Sequence, residues 1–298
     1  MRNRRETILI IVALLAAGSL VPVAAQSTLA PALVWQGAIN GEESSSLRWP
    51  VAVASAVAGE VAVADAGTPR LVVFHLVDDR WVARTTVPLP APPVGLAAAG
   101  GRYLLSLRGE AGLLEFDREK WTYRVVPLPS GTVPGALAAT PDNGLLVYDD
   151  ARQLVLRRAG TGSFSSGVPV PGPVRALAAG RGGDFFAAVP HQGVVLHCGA
   201  DGGELARWPV PGVAPSPSWP VGLAVISGGD LLVLDRTGGR VVVLDARGGA
   251  RGAGSRKGWD AGLLRYPAGL AVGPDGLLAV ADQGNGRVQL FRAVAEGE

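Results

Sequence analysis

Residues 264–292, LRYPAGLAVGPDGLLAVADQGNGRVQLFR, decide the fold. The stretch holds three short apolar runs, each preceded by turn residues. Leu270–Val272 follows Pro267 and Gly269, Leu277–Ala281 follows Gly273-Pro274-Asp275-Gly276, and Val288–Phe291 follows Gln283-Gly284-Asn285-Gly286. Gly, Asn and Asp tolerate left-handed backbone angles and Pro ends strand pairing, so runs this short predict antiparallel strands joined by tight turns. The same unit recurs upstream, most plainly at 47–75, LRWPVAVASAVAGEVAVADAGTPRLVVFH.

Aligned on the turn before the first strand, six units start at Pro50, Pro93, Pro134, Pro173, Pro220 and Pro267, at intervals of 43, 41, 39, 47 and 47 residues. Each opens with a strand of small residues (VAVAS, VGLAAA, GALAAT, VRALAAG, VGLAVI, AGLAVG). A second follows (VAVAD, YLLSL, LLVYD, FFAAV, LLVLD, LLAVAD), then a third (RLVVFH, GLLEFD, QLVLRR, GVVLHC, RVVVLD, RVQLFR). Outer strands are less regular, although WVARTTVPLP at Trp81 and WTYRVVPLP at Trp121 echo each other. Repeats of about 40–50 residues with several strands each predict propeller blades, whose innermost strands crowd the axis and need small side chains. The motif resembles the NHL repeat, best in blades one, five and six. The expectation is an all-β, six-bladed NHL-like propeller over residues 26–298. The sixth unit stops after its third strand, and a spare strand, Ala32–Gly37 (ALVWQG), precedes the first unit. This N-terminal strand is expected to complete the last blade and close the ring, which removes exposed sheet edges.

The chain starts MRNRRETILIIVALLAAGSLVPVAAQ, with a basic start, an apolar core at Ile8–Leu20, a helix-breaking Pro22 and small residues at Val23-Ala24-Ala25. That pattern predicts a signal peptide over residues 1–25 and a periplasmic or extracellular destination. The alternative is an uncleaved anchor, since Ile8–Ala25 could just span a bilayer; membrane contact is expected only in that case. The chain's formal charge of +2 falls to about zero once Arg2, Arg4, Arg5 and Glu6 are removed. No strong basic field remains, so nucleic acid is not an expected partner. Two linkers depart from the repeat. Residues 208–220, WPVPGVAPSPSWP, predict a stiff extended crossing, and 246–262, ARGGARGAGSRKGWDAG, a solvated outer strand and turn. The single cysteine, Cys198, makes no intrachain disulfide, and a monomer held by burial alone is expected.

Propeller geometry sorts the loops by side. Turns leading into the innermost strand and turns between second and third strands share one face. That face gathers the aromatic-proline pairs at Trp49, Trp219 and Tyr266. It also gathers four charged loops, Asp65 to Arg70, Asp149 to Arg152, Asp235 to Arg240 and Asp282 to Arg287. These eleven residues are the candidate ligand-binding set. Each Asp can equally cap its own turn and each Arg can reach the next blade, a structural duty that fits how closely they track the repeat. The adjacent prolines suggest that the aromatics wedge blades apart. Blades two and four depart from the motif, with Ser106-Leu107-Arg108 and Val189-Pro190-His191.

The resemblance also implies chemistries to weigh. Amidating lyases of the NHL family use three histidines on zinc, and this chain has three, His75, His191 and His197. The alignment puts His75 and His197 far from the axis on the face opposite His191, so they cannot share one ion. Six-bladed lactonase-type hydrolases hold a divalent cation with oxygen ligands, but here the inner strands offer only Ser55 and Thr140, besides the loop aspartates. No nucleophile elbow or Ser-His-Asp spacing is present, and Cys198 and His197, as strand neighbours, point to opposite faces. The function expected is therefore an exported, non-catalytic module, without cofactor, that binds a protein, peptide or glycan. The alternative is a metal-dependent hydrolase or lyase with ligands at the channel.

Overall fold

The computed structural model of the chain describes residues 30–293. The predicted signal peptide, 1–25, lies outside them. Six four-stranded antiparallel blades stand around a channel. Blade one is built from Pro50–Ala54, Glu60–Asp65, Arg70–Val77 and Arg80–Pro88, counted outward from the axis. Blade six has Gly269–Val272, Leu278–Asp282 and Arg287–Ala293, with Leu33–Ile39 outermost. Leu33–Ile39 runs antiparallel to Arg287–Ala293, with Trp35 opposite Phe291 and Ile39 opposite Val288.

Burial follows distance from the axis. Second strands are covered on both faces by neighbouring blades, and Glu60–Asp65, Leu145–Asp149, Leu231–Asp235 and Leu278–Asp282 are buried at every position. Their continuous Val, Leu and Ala runs are what two-sided burial requires. The outer strand Arg80–Pro88 alternates exposed and half-covered residues, as a strand with one wet face does. Among the described residues six apolar clusters fill the six gaps between adjacent blades. Leu71, Leu105 and Phe116 join blades one and two; Val63, Val72 and Leu290 join blades six and one. Each fully buried Val or Leu contributes roughly 1.5–3 kcal/mol, so no gap depends on a single contact.

Two features depart from the sequence reading. Ala30–Pro31 pairs in parallel with blade five's outer strand, Ala250–Gly254, so the start of the described chain touches two blades. Leu33 lies against Gly254, where an added Cβ would meet Leu33 Cβ at 2.4 Å; only glycine admits this crossing. The crossing expected to be extended across 208–220 instead folds back on itself at Val213–Ser216, where Ser216 N donates to Val213 O at 2.8 Å. Helix in the described residues is confined to three short 3-10 turns, and none is long and apolar enough to cross a membrane.

Candidate functional site

The loop aspartates are staples. Asp65 Oδ1 accepts from Trp49 N (2.7 Å) and Gly67 N (3.2 Å), and Oδ2 accepts from Arg70 Nε (3.2 Å). Asp149 Oδ1 accepts from Val133 N and Ala151 N, both at 3.1 Å, and Asp235 Oδ1 from Trp219 N at 2.9 Å and Thr237 N at 3.2 Å. Asp282 Oδ1 accepts from Arg265 N at 2.7 Å, and its Oδ2 from Arg287 Nε at 2.9 Å. All four carboxylates are buried. Their arginine partners carry the contact onward to the segment that crosses from the preceding blade. Arg70 donates to the Ser44 and Ser46 carbonyls, Arg152 to Thr132 Oγ1, Arg240 to Pro211 O and Gly212 O, and Arg287 to Trp259 O and Asp260 O. Each Asp–Arg pair thus pins one crossing segment onto one blade. The four aspartates thus perform the turn-capping duty that the sequence reading also allowed them, bonded to backbone amides inside their blades.

The aromatics are a correction to the sequence reading. Trp49, Trp219 and Tyr266 do not wedge blades apart; they are 51%, 43% and 45% exposed. Trp49 and Trp219 stand at the rim of a cavity of about 330 Å³ at the channel mouth, with Arg108, Arg175, Arg236 and Gln283 as its polar lining and Val51, Val94, Val221 and Ala268 as its floor. Deeper in lies a small space of about 70 Å³ between the innermost strands, lined by Val, Leu, Ala and Gly and by Arg175. At the opposite mouth lies a cavity of about 500 Å³ lined mainly by Ala, Val, Leu and Ile, with Ser55, Thr140, Ser227 and Arg181 as its polar groups.

Three of the polar groups of the first mouth, Arg108, Arg236 and Gln283, occupy one repeated position, immediately after the second strand, whereas Arg175 precedes the innermost strand Ala176–Ala179. At the repeated position Ala66, Arg108, Asp150 and Arg236 donate their backbone N–H to the carbonyls of Trp49, Pro92, Val133 and Trp219 at 2.9–3.0 Å. The signal was present in sequence, one residue beyond the aligned aspartates. In blade two, where Leu107 replaces the aspartate, the next residue is Arg108. Arg236 Nη1 donates to Tyr266 O (2.9 Å) and Pro267 O (3.0 Å), and Nη2 to Gln283 Oε1 (2.9 Å). Burial, and then the facing charge of Arg175, holds the Arg236 pKa below its ordinary value. Burial pushes the Asp150 carboxyl up, against the pull of Arg175. Around Tyr266 stand Arg236, Lys257 and Arg265, each 5.4–5.6 Å from its ring. Arg265 lies 3.5 Å above the ring of Trp259, which is 64% exposed.

The histidines stay apart. His75 pairs with Glu60 at 2.8 Å and His197 with Asp184 at 2.6 Å, both at the ends of third strands on the far face. His191 lies in the turn Pro190–Gln192 on the mouth face. Among the described residues no three His, Cys, Asp or Glu side chains gather as a metal site would need. Cys198 is buried, and burial first, then the charge of Glu204, pushes its thiol up to about 11.

Six blades in a closed circle, with an open channel and an aromatic, arginine-bearing mouth, define a six-bladed β-propeller. The family model described as NHL repeat matches residues 264–291, in the last blade of the propeller. No curated protein sequence matches it. Among solved structures it is similar to a structural genomics protein of unknown function from Bacteroides thetaiotaomicron, with TM-score 0.69 and 15% identity over 89% of this chain and 76% of that one. A streptogramin B lyase gives TM-score 0.62 and 13% identity over 88% and 98% of the two chains. Virginiamycin B lyase from Staphylococcus aureus gives TM-score 0.62 and 12% identity over 88% and 100%. At such identities the likeness is one of fold alone.

Proposed function

We propose that this chain is an exported, non-catalytic interaction module that holds a protein or peptide partner on the face surrounding Trp49, Trp219, Trp259 and Tyr266. One observation carries the reading: four large aromatic side chains, 43–64% exposed, sit on a single face beside guanidinium groups. Trp, Tyr and Arg are the residues that dominate binding energy at protein interfaces, because they offer large rigid area with a polar tip. NHL propellers generally serve as interaction modules, and the buried Asp–Arg staples make this face a rigid platform.

A photo-cross-linking residue placed at Trp259 should capture a discrete protein in the envelope fraction. The same residue at Val82, on the outer strand of blade one, should capture none. Equal capture at both positions, or none at Trp259, would remove the reading. Amino-terminal sequencing of the exported protein should begin at Gln26.

The lyases among the fold neighbours raise a metal-dependent reaction at the channel as a rival, but no observation favours it. The channel walls are mostly apolar, with Ser55, Thr140 and Ser227 as small polar exceptions at one mouth and arginines rather than carboxylates as the charged groups, and the loop aspartates are engaged within their blades. Stoichiometric zinc or calcium in the purified protein would reverse that preference.

A further inference from the structure

The mouth holds more positive charge than its own residues neutralise. Arg108 and Arg175 line the cavity and are exposed, and neither side chain makes a hydrogen bond or ion pair within the described residues. Most other arginines of the propeller are tied to a carboxylate or a carbonyl. Arg236 is fixed by three hydrogen bonds but still presents its charge to the same space. Against these three cations the lining of the cavity, among the described residues, sets no carboxylate; Asp150, outside that lining, lies close enough to Arg175 for the two charges to interact.

We infer that this mouth takes the carboxylates of an acidic polypeptide segment, with Arg108 and Arg175 as free donors and Arg236 as a preset one. The inference rests on the protein-binding reading above and names the chemistry of the partner. Three features of the geometry point to it. Arg108, Arg175 and Arg236 come from blades two, four and five, so they flank the axis from different sides. Spread guanidiniums of this kind match separate carboxylates along one chain better than a single compact anion, which needs donors converging from one side. The space below is small, about 70 Å³, and apart from Arg175 is lined by Val, Leu, Ala and Gly, so it offers a carboxylate no further partner. The rim beyond the arginines is aromatic, through Trp49 and Trp219, and offers apolar surface to the residues that flank an acidic side chain.

The experiment is a titration of the purified mature protein, followed by tryptophan fluorescence, with a ten-residue peptide alternating glutamate and leucine. Its glutamine counterpart, inorganic phosphate, a polyuronate and a single-stranded RNA of matched charge are titrated in parallel. The glutamate peptide should bind, with affinity that falls as salt rises, and the glutamine peptide should not. Arg108→Ala/Arg175→Ala should weaken glutamate-peptide binding by about tenfold or more, since charge-assisted bonds are lost without disturbing any bond within the blades. A charge-matched control on the outer strand, Arg80→Ala/Arg84→Ala, should leave it unchanged. Equal binding of the glutamine peptide, tighter binding of phosphate, polyuronate or RNA, or indifference to the mouth variant would overturn the inference. If it falls while cross-linking from Trp259 persists, the face still binds protein by other chemistry; if both fail, the protein-binding reading falls with it.

Discussion

The indole Nε1 of Trp35 donates a 2.8 Å hydrogen bond to Oε1 of Gln289, across 254 positions of sequence. Gln289 is buried, and its Nε2 donates to Leu263 O at 3.0 Å. One amide therefore joins the outermost strand of blade six, the third strand of that blade and the segment arriving from blade five. Gln289→Ala is expected to lower stability by about 1–3 kcal/mol, because it strands buried partners as well as losing its own bonds. Trp35→Phe should cost less, since Trp35 is partly exposed and water can replace the lost donor. Urea unfolding of the two variants checks the order; a neutral Gln289→Ala would mean that backbone pairing alone holds the strand.

Asp65 and Arg70 predict a larger effect. Both are buried, and the carboxylate serves three backbone amides as well as the guanidinium. Asp65→Ala should cost about 3–5 kcal/mol, the usual penalty for leaving one member of a buried pair uncompensated. Asp65→Asn should cost less, since an amide oxygen still accepts from Trp49 N. Thermal unfolding of the two variants tests this, and equal losses would show that charge, not backbone capping, is the main contribution.

Glu60 gives the fold a dependence on acid. Its carboxylate accepts from Tyr103 Oη at 2.6 Å and from Arg118 Nε and Nη2 at 3.0 and 2.9 Å, between blades one and two. Burial pushes its pKa up, but the bonds from Arg118 and Tyr103 outweigh it and hold the value below the ordinary 4.5. A carboxyl depressed in the fold stabilises it fully above the unfolded value, and that contribution fades as pH falls through the folded one. Glu60→Gln should therefore be destabilising at neutral pH, and the gap from the parent protein should narrow in acid below about pH 4. Urea midpoints measured across that range decide it; a constant gap would assign the cost to packing.

Cys198 should be inert while the propeller is folded. Its thiol is buried and pushed up to about 11, so almost none is thiolate at pH 8. A thiol reagent should modify it only after denaturation. Prompt labelling of the native protein would place the sulfur in reach of solvent.

The blades were legible because each strand is short and closed by its own turn chemistry. The stretch RLVVFH became Arg70–Val77, and LLVLD became Leu231–Asp235. The candidate site was half legible. Propeller geometry groups Trp49, Trp219 and Tyr266 on one face, but a proline neighbour does not reveal whether an aromatic ring is wedged or free. The Asp–Arg motifs drew notice because they repeat, and they repeat because every blade needs the same staple. Arg108 and Arg175 were not singled out as ligand groups because their backbones follow the repeat, Arg108 N bonding to Pro92 O and Arg175 N to Ala188 O, and a sequence does not say that a side chain finds no partner. The parallel contact of Ala30–Pro31 left no trace either, since a two-residue pairing has no periodicity.

The union of Leu33–Ile39 with Arg287–Ala293 has a consequence for biogenesis. A ribosome makes the first of these segments about 250 residues before its partner exists, and translocation would deliver them in the same order. Until Arg287–Ala293 is made, Leu33–Ile39 has its ladder open, as a template for wrong pairings. Completion of the sixth blade therefore waits on the later of two segments that lie about 250 residues apart.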